Sequence, residues 1–254
     1  MTNHIQTFKD NPLTFKMIAI EGGIFDMGSD DSEAYDDEKP VHKVTLSDYW
    51  LCEYPVTQAV WAYVMQDTDM PDPSYFKGAN RPVEEVSWDD IVEQFLPKIN
   101  ALTEGVRPEG TAYRLPTEAQ WEYAARGGKY CAKYPFKYAG SDKLNEVAWY
   151  DENSHKETKP VGLKTPNLLG LYDISGNVRE WCEDWYSSDF YEHCKQDGVV
   201  ENPCNRSKGT GRVLRGGSWF FNAQFCRSTF RNSYTPSIRY FTIGFRLALV
   251  FPSV

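Results

Sequence analysis

The chain has 254 residues and a formal net charge of −9 at pH 7. So acidic a protein is a poor candidate for binding nucleic acid through its surface charge. No stretch is apolar and long enough to cross a membrane or to act as a secretion signal. We therefore expect no membrane insertion and, by default, a cytoplasmic location, with display on a cell or phage surface by another route left open.

The six cysteines occur at irregular spacings and form no Cys-x-x-Cys motif, which disfavours a structural zinc site. No linker rich in Pro, Gly or Ser divides the sequence. The expected organisation is a loose leader over residues 1–14 followed by a single domain over residues 15–254.

Strands and helices are both signalled in the first half of the chain. Runs of apolar or alternating residues predict strands over 17–20 and 41–46. Thr57, Ser87 and Thr117 each precede a helical apolar pattern, and we expect each of them to cap a helix. After the third helix the sequence contains short strand patterns and long loops. The predicted fold class is therefore α+β.

Six segments occur in a fixed order along most of the chain. They lie at residues 21–28, 53–58, 114–128, 170–181, 212–219 and 244–246. Together they resemble the formylglycine-generating-enzyme (sulfatase-modifying factor) family. The resemblance implies the C-type-lectin-like fold of that family, which has few helices and much irregular loop. Because the family includes a copper-dependent oxidase, an iron-dependent sulfoxide synthase branch and members without known chemistry, function must be argued at the site.

The residues that the enzyme branches need are incomplete here. The oxidase members hold a cuprous ion between two thiols, and the second position of that pair matches Cys226 while the first falls on Phe221. The four histidines show no paired helical spacing, so the iron site of the sulfoxide synthases is not expected. We expect no redox cofactor and favour a non-catalytic function. The alternative is a formylglycine-generating-enzyme-like oxidase or a protein maturation factor.

One loop has a pattern that suits a hard cation. Asp173 and Glu180 alternate with Gly176 and Val178, whose carbonyls would complete a tight oxygen-rich loop. Family members with calcium place ligands at these positions, so the resemblance implies a structural calcium site. The alternative is that both carboxylates bond the loop backbone and that Glu180 pairs with an arginine.

The segment 212–248 alternates frame residues with positions of interchangeable character. The frame includes Arg215, Arg227, Arg231, Arg239 and Arg246, which we expect to bond loop carbonyls and buried carboxylates. The interleaved candidates for ligand binding, with Thr235 among them, are aromatic, aliphatic or small polar residues: Phe220, Phe221, Asn222, Phe225, Phe230, Asn232, Ser233, Tyr234, Ser237, Ile238, Tyr240, Phe241 and Thr242.

This arrangement closely resembles the variable region of diversity-generating retroelement target proteins. In those proteins a template is recopied with changes confined to adenines. From an Asn codon such changes cannot produce Lys, Glu, Gln, Trp or Met, and none of these types occurs at the interleaved positions. The resemblance implies a variable binding cassette.

A rigid frame that presents Tyr, Phe, Ser and Asn also resembles a paratope, because aromatic rings give contact area and small polar residues adapt. We expect the interleaved side chains to bind a protein or cell-surface ligand. The alternative is an ordinary family member whose late loops pack inward.

Overall fold

The computed structural model describes residues 1–251. It combines short helices with several small sheets, as the α+β prediction requires. The strands are β1 (His4–Phe8), β2 (Asn11–Ile20), β3 (Gly23–Met27), β4 (His42–Leu46), β5 (Tyr49–Cys52), β6 (Ala112–Arg114), β7 (Ala148–Trp149), β8 (Ser175–Gly176), β9 (Arg179–Trp185), β10 (Val200–Glu201), β11 (Arg212–Arg215), β12 (Arg231–Tyr234), β13 (Ile243–Phe245) and β14 (Ala248–Val250). The helices are α1 (Gln58–Val64), α2 (Trp88–Asp90), α3 (Leu96–Leu102), α4 (Glu118–Ala125), α5 (Leu144–Val147) and α6 (Phe190–Gln196).

A five-stranded sheet in the order β1-β2-β5-β14-β6 lies between two large apolar clusters. Side chains of a strand point alternately to the two faces of its sheet. Met17 therefore packs on one side with Trp61 and Phe95, while Ile18 packs on the other with Trp121. Because both faces are covered, this sheet is the structural centre of the chain.

The first fourteen residues are not the loose leader that we expected. β1 pairs antiparallel with β2 and extends the central sheet. The strand was missed because one of the two side chains that it buries, Gln6, is polar, so that Gln6 and Phe8 give no apolar alternation. The Oε1 atom of Gln6 accepts a hydrogen bond of 2.7 Å from the hydroxyl of Tyr113, which makes the burial tolerable.

The three predicted helix caps are confirmed. The side chains of Thr57, Ser87 and Thr117 accept hydrogen bonds from the backbone N–H three residues later. The helix that follows Ser87 runs through α2 and α3 with a π-helical segment, Ile91–Phe95, between them. Every residue of α4 is buried, including its carboxylates. These buried charges come from one short helix and need partners from elsewhere in the chain.

The segment 212–248 is fixed at both ends by sheets. β11 pairs with β9 and β12, and β13 runs parallel to β9. β14 then enters the central sheet between β5 and β6. The loops between these strands, 216–230 and 235–242, are consequently held on a rigid base.

Candidate ligand-binding face

An arginine frame joins the C-terminal segment to buried carboxylates. Arg215 donates to Glu118 at 2.9 Å, to Glu122 at 2.6 Å and to the carbonyl of Ser228 at 2.7 Å. Arg231 donates to both oxygens of Glu118, at 2.6 and 2.8 Å. Burial alone would raise the pKa of Glu118, but Arg231 and Arg215 hold it below its usual value. The two arginines, together with Arg126 at 3.1 Å from Glu122, thus offset the charges that α4 buries.

The other frame arginines make equivalent contacts. Arg227 holds both oxygens of the buried Glu38 at 2.6 Å. Arg239, which is half exposed, holds both oxygens of Asp90 at 2.7 Å. Fork-to-fork pairs of this kind fix orientation as well as charge. The predicted anchoring of the frame by carboxylates is therefore present at each of these positions.

Above the frame, most of the interleaved side chains reach the surface to some degree. Phe220 is 54% exposed, Tyr234 43% and Tyr240 40%. The exposed members of the set are Phe220, Asn222, Tyr234, Thr235, Ser237 and Tyr240, and the half-buried ones are Phe221, Phe225, Asn232, Ser233, Ile238 and Phe241. We call these twelve residues the candidate face.

Two candidates do not belong to that face. Phe230 is only 8% exposed because its ring packs between Phe225 and Tyr35. Thr242 is fully buried, and its hydroxyl accepts a hydrogen bond from Arg179. The expectation that both residues present their side chains to a ligand is wrong for this structure, since each of them supports residues of the face from below.

All the aromatic rings of the face except Tyr234 form a continuous strip with Trp219 and with two residues outside the segment 212–248, Tyr75 and Phe76. Phe220 and Phe221 are 5.8 Å apart between ring centroids, and Trp219 lies 5.4 Å from Phe220. Phe76 contacts Trp219 at 5.3 Å, and the exposed Tyr75 contacts Phe76 at 4.9 Å. Tyr75 and Phe76 lie in the loop after α1. In the sequence, the place of Tyr75 and Phe76 in the strip was indicated by little more than two adjacent aromatic residues in a polar loop.

The cysteine that matches an oxidase position is packed as a buried apolar residue. Cys226 has no exposed surface, and burial raises the pKa of its thiol to about 12. Phe221, at the companion position, packs its ring against Phe220 and Phe225. A thiol in this state is neither a thiolate nucleophile nor an accessible metal ligand. Within residues 1–251, no three His, Cys, Asp or Glu side chains converge closely enough to hold a metal ion.

The predicted calcium ligands already have protein partners. Asp173 accepts hydrogen bonds from the backbone of Gly162 at 2.8 Å and from Asn177 at 3.3 Å. Both oxygens of Glu180 lie within 3.2 Å of Arg246, and Trp121 donates to one of them at 2.7 Å. A calcium ion would have to displace a guanidinium. The donor set therefore does not fit calcium, and the contacts match the alternative in which Glu180 pairs with an arginine.

We expect removal of calcium to leave the stability of the protein unchanged. Glu180 is paired with Arg246, and Asp173 accepts hydrogen bonds from Gly162 and Asn177, so both carboxylates keep partners of the chain itself when the solution holds no cation. The measurement is the melting temperature with excess EDTA and with millimolar calcium. If calcium raised the melting temperature by several degrees, and Glu180→Gln abolished that rise, the calcium site would be supported after all.

The sequence matches the family described as the sulfatase-modifying factor enzyme 1-like domain over residues 3–250. It is 36% identical over 248 residues to the chaperone protein LppX of Paenibacillus barcinonensis, covering 80% of this chain and 78% of that protein. It is 29% identical over 303 residues to the formylglycine-generating enzyme of Thermomonospora curvata, covering 91% and 92%. The chain spans only 39% of the Chlamydia trachomatis protein named serine/threonine-protein kinase Pkn1, to which it is 34% identical.

Among solved structures, the fold matches that of Treponema denticola variable protein 1 with a TM-score of 0.84. The match covers 98% of this chain and 99% of that one at 31% identity. In the described residues, no helix combines the length and apolar character needed to cross a bilayer. The fold is the C-type-lectin-like fold of the formylglycine-generating-enzyme type, and the chain belongs to the sulfatase-modifying factor enzyme 1-like family.

Proposed function

We propose that this protein is a non-catalytic ligand-binding protein whose candidate face binds a protein or cell-surface ligand. The observation that carries the proposal is the division of residues 212–248 into two sets. The frame arginines hold buried carboxylates, while most interleaved residues are exposed or half exposed. A surface that can change without disturbing the residues that hold the fold suits a variable binding cassette.

The similarity to Treponema denticola variable protein 1 supports the same proposal, because it extends over nearly the whole of both chains. The aromatic strip adds a physical reason. Exposed aromatic clusters of this kind mark interfaces, where Tyr, Trp and Phe contribute most of the binding energy.

The oxidase alternative would need a metal site that the residues around Cys226 do not supply. Stoichiometric copper or iron in the purified protein would favour that alternative and count against a binding protein.

Natural variation tests the retroelement aspect of the proposal directly. The coding region for residues 212–248 is sequenced deeply from a population of the source, and the region for residues 112–128 serves as the internal control. We expect substitutions to be confined to codons of the interleaved positions and to correspond to adenines of a nearby template copy. Substitutions spread evenly over frame and face codons, or the absence of any such template, would contradict a diversified cassette.

A display library tests whether the face can bind. One library randomises five exposed positions, and a matched library randomises the frame arginines at Arg215, Arg227 and Arg231. The five face positions are Phe220, Asn222, Tyr234, Ser237 and Tyr240. We expect most face variants to fold and to yield binders against folded protein targets, while frame variants fail to fold. A face library that folds but gives no binder would contradict the proposed function.

Exposure also predicts different effects of truncating two phenylalanines of the same segment. Phe220→Ala removes a ring that is mostly in water and should change the free energy of unfolding by less than about 1 kcal/mol. Phe230→Ala opens a cavity between Phe225 and Tyr35 and should cost about 3–5 kcal/mol. Urea unfolding of the two variants, with Tyr240→Ala as a second exposed control, measures the difference. Equal costs would show that the division into face and support is wrong.

A further inference from the structure

One arginine lies directly beneath the candidate face and has no carboxylate partner. Arg179 is the first residue of β9 and is 1% exposed. Its Nη2 atom donates to the hydroxyl of Thr242 at 2.9 Å, and its backbone N–H donates to the carbonyl of the same residue at 2.8 Å. Its Nε and Nη1 atoms are buried and have no hydrogen-bond partner among the residues that the structure describes.

This arginine differs from the arginines of the frame. Arg215, Arg227, Arg231 and Arg246 are also buried, and each holds at least one carboxylate. No carboxylate oxygen of residues 1–251 lies within 4.0 Å of a guanidinium nitrogen of Arg179, the distance that defines an ion pair. Burial lowers the pKa of Arg179, while the hydroxyl of Tyr234, which is near enough to interact with the guanidinium, and that of Tyr240 oppose that shift. A guanidinium nevertheless stays protonated in proteins, so a full positive charge is buried here without a counter-charge.

The groups that cover this charge belong to the candidate face. The guanidinium carbon lies 4.6 Å from the ring centroid of Phe221 and 5.0 Å from that of Tyr234. The π-electrons of two rings offset part of the charge but accept no directional hydrogen bond from Nε or Nη1. Phe221 is half buried and Tyr234 is exposed, and one of these two side chains has to rotate away before a ligand can contact the guanidinium.

We propose that Arg179 is the anion-binding base of the candidate face and that it recognises a carboxylate side chain, Asp or Glu, of a protein ligand. This inference rests on the proposed function and deepens it by naming the chemistry of the ligand. A carboxylate oxygen can accept a charge-assisted hydrogen bond from Nε or from Nη1, whose free N–H groups lie on different edges of the guanidinium. Apolar neighbours of that carboxylate in the ligand would pack on Phe221 and Tyr234. Arg179 lies outside the interleaved positions, so every variant of the face would keep this charge.

The test compares two ligand fragments that differ in charge and little else, phenylacetate and phenylacetamide. Both place an aromatic ring on the strip, but only phenylacetate carries a carboxylate. Binding is followed by the 15N resonance of the Nε–H group of Arg179, which is assigned by its loss in Arg179→Met. We expect phenylacetate to bind at least about tenfold more tightly than phenylacetamide, because it completes a buried charge pair.

Variants separate Arg179 from general attraction to positive charge. In Arg179→Met, followed through the backbone resonances of Phe221 and Tyr234, the preference for phenylacetate should disappear. Arg206→Met, which changes a side chain that is mostly exposed, should keep it. Arg179→Met should also melt close to the parent, because removing a buried charge without a counter-charge offsets the loss of the hydrogen bond to Thr242. A preference that survives in Arg179→Met, or a marked loss of stability in that variant, overturns the proposal in favour of a structural arginine.

Two further arms decide the ligand chemistry. Inorganic phosphate that shifts the Nε–H resonance of Arg179 at lower concentration than phenylacetate overturns the assignment to a carboxylate. The display library separates this inference from the proposed function. Binders found equally often for basic lysozyme and acidic ovalbumin leave the proposed function intact and overturn the acidic preference. If the parent protein prefers phenylacetate but the display library yields no binder, anion binding by Arg179 stands and the proposed function fails.

Discussion

Arg215→Met is expected to lower the free energy of unfolding by about 3–5 kcal/mol. The substitution deprives the buried Glu118 and Glu122 of one arginine each. Glu118 keeps Arg231, and Glu122 keeps the partly exposed Arg126. The substitution also leaves the carbonyl of Ser228 without its donor. A buried carboxylate that loses its partner keeps its desolvation cost and loses the attraction that offset it. Urea unfolding at neutral pH measures the loss.

The matched control for this prediction is Arg206→Met. Arg206 also pairs with a carboxylate, that of Glu183, but its side chain is mostly exposed. Exposed pairs contribute at most about 1 kcal/mol, so this variant should unfold within that margin of the parent. If Arg215→Met were as stable as Arg206→Met, the buried arginines would not hold the segment 212–248 in place.

Arg246→Met is expected to have an effect at least as large, about 4 kcal/mol or more. Arg246 donates to both oxygens of Glu180 and also to the backbone carbonyls of Cys52, Glu53 and Tyr172. One side chain thus contacts three parts of the fold: the end of β5, the loop that precedes β8, and strand β9. Its removal leaves a buried carboxylate and several acceptors unpaired at once.

A double-mutant cycle separates the charge pair from the carbonyl contacts. Glu180→Gln removes the negative charge and leaves a neutral amide beside Trp121 and Arg246. The combined Arg246→Met and Glu180→Gln variant should lose about 2 kcal/mol less than the sum of the single variants, because neither buried charge then remains alone. Additive losses would mean that the carbonyl contacts alone account for the role of Arg246.

The helix starts were predictable because capping is local chemistry. Thr57, Ser87 and Thr117 each show a side-chain oxygen followed by an apolar helical pattern, and each accepts the expected hydrogen bond. The leader was misjudged for the opposite reason. Gln6 is acceptable in the core because its amide bonds the carbonyl of Thr7 and because Tyr113, more than a hundred residues away, donates its hydroxyl to it. A partner so distant leaves no mark on the local pattern.

The face was predicted in outline and corrected in detail. The alternation of frame and interleaved residues indicated the right segment. It did not predict that Phe230 packs beneath Phe225 or that the hydroxyl of Thr242 accepts a hydrogen bond from Arg179. Glu180 shows the same limit, since one motif suits either a cation or an arginine. Nothing in the sequence indicated the role of Arg179, because its lack of a carboxylate partner depends on where the folded residues 1–251 place their carboxylates.

The position of β14 makes folding of the domain depend on complete translation of the segment 212–248. This strand follows the cassette loops in the chain, yet it lies inside the central sheet, bonded to β5 on one side and to β6 on the other. If the segment 212–248 is diversified as proposed, a copying error that shifts the reading frame or ends translation within it would remove that inner strand. The truncated product would then lose its central sheet along with its loops and would fail to fold, so damaged binding surfaces would not be presented.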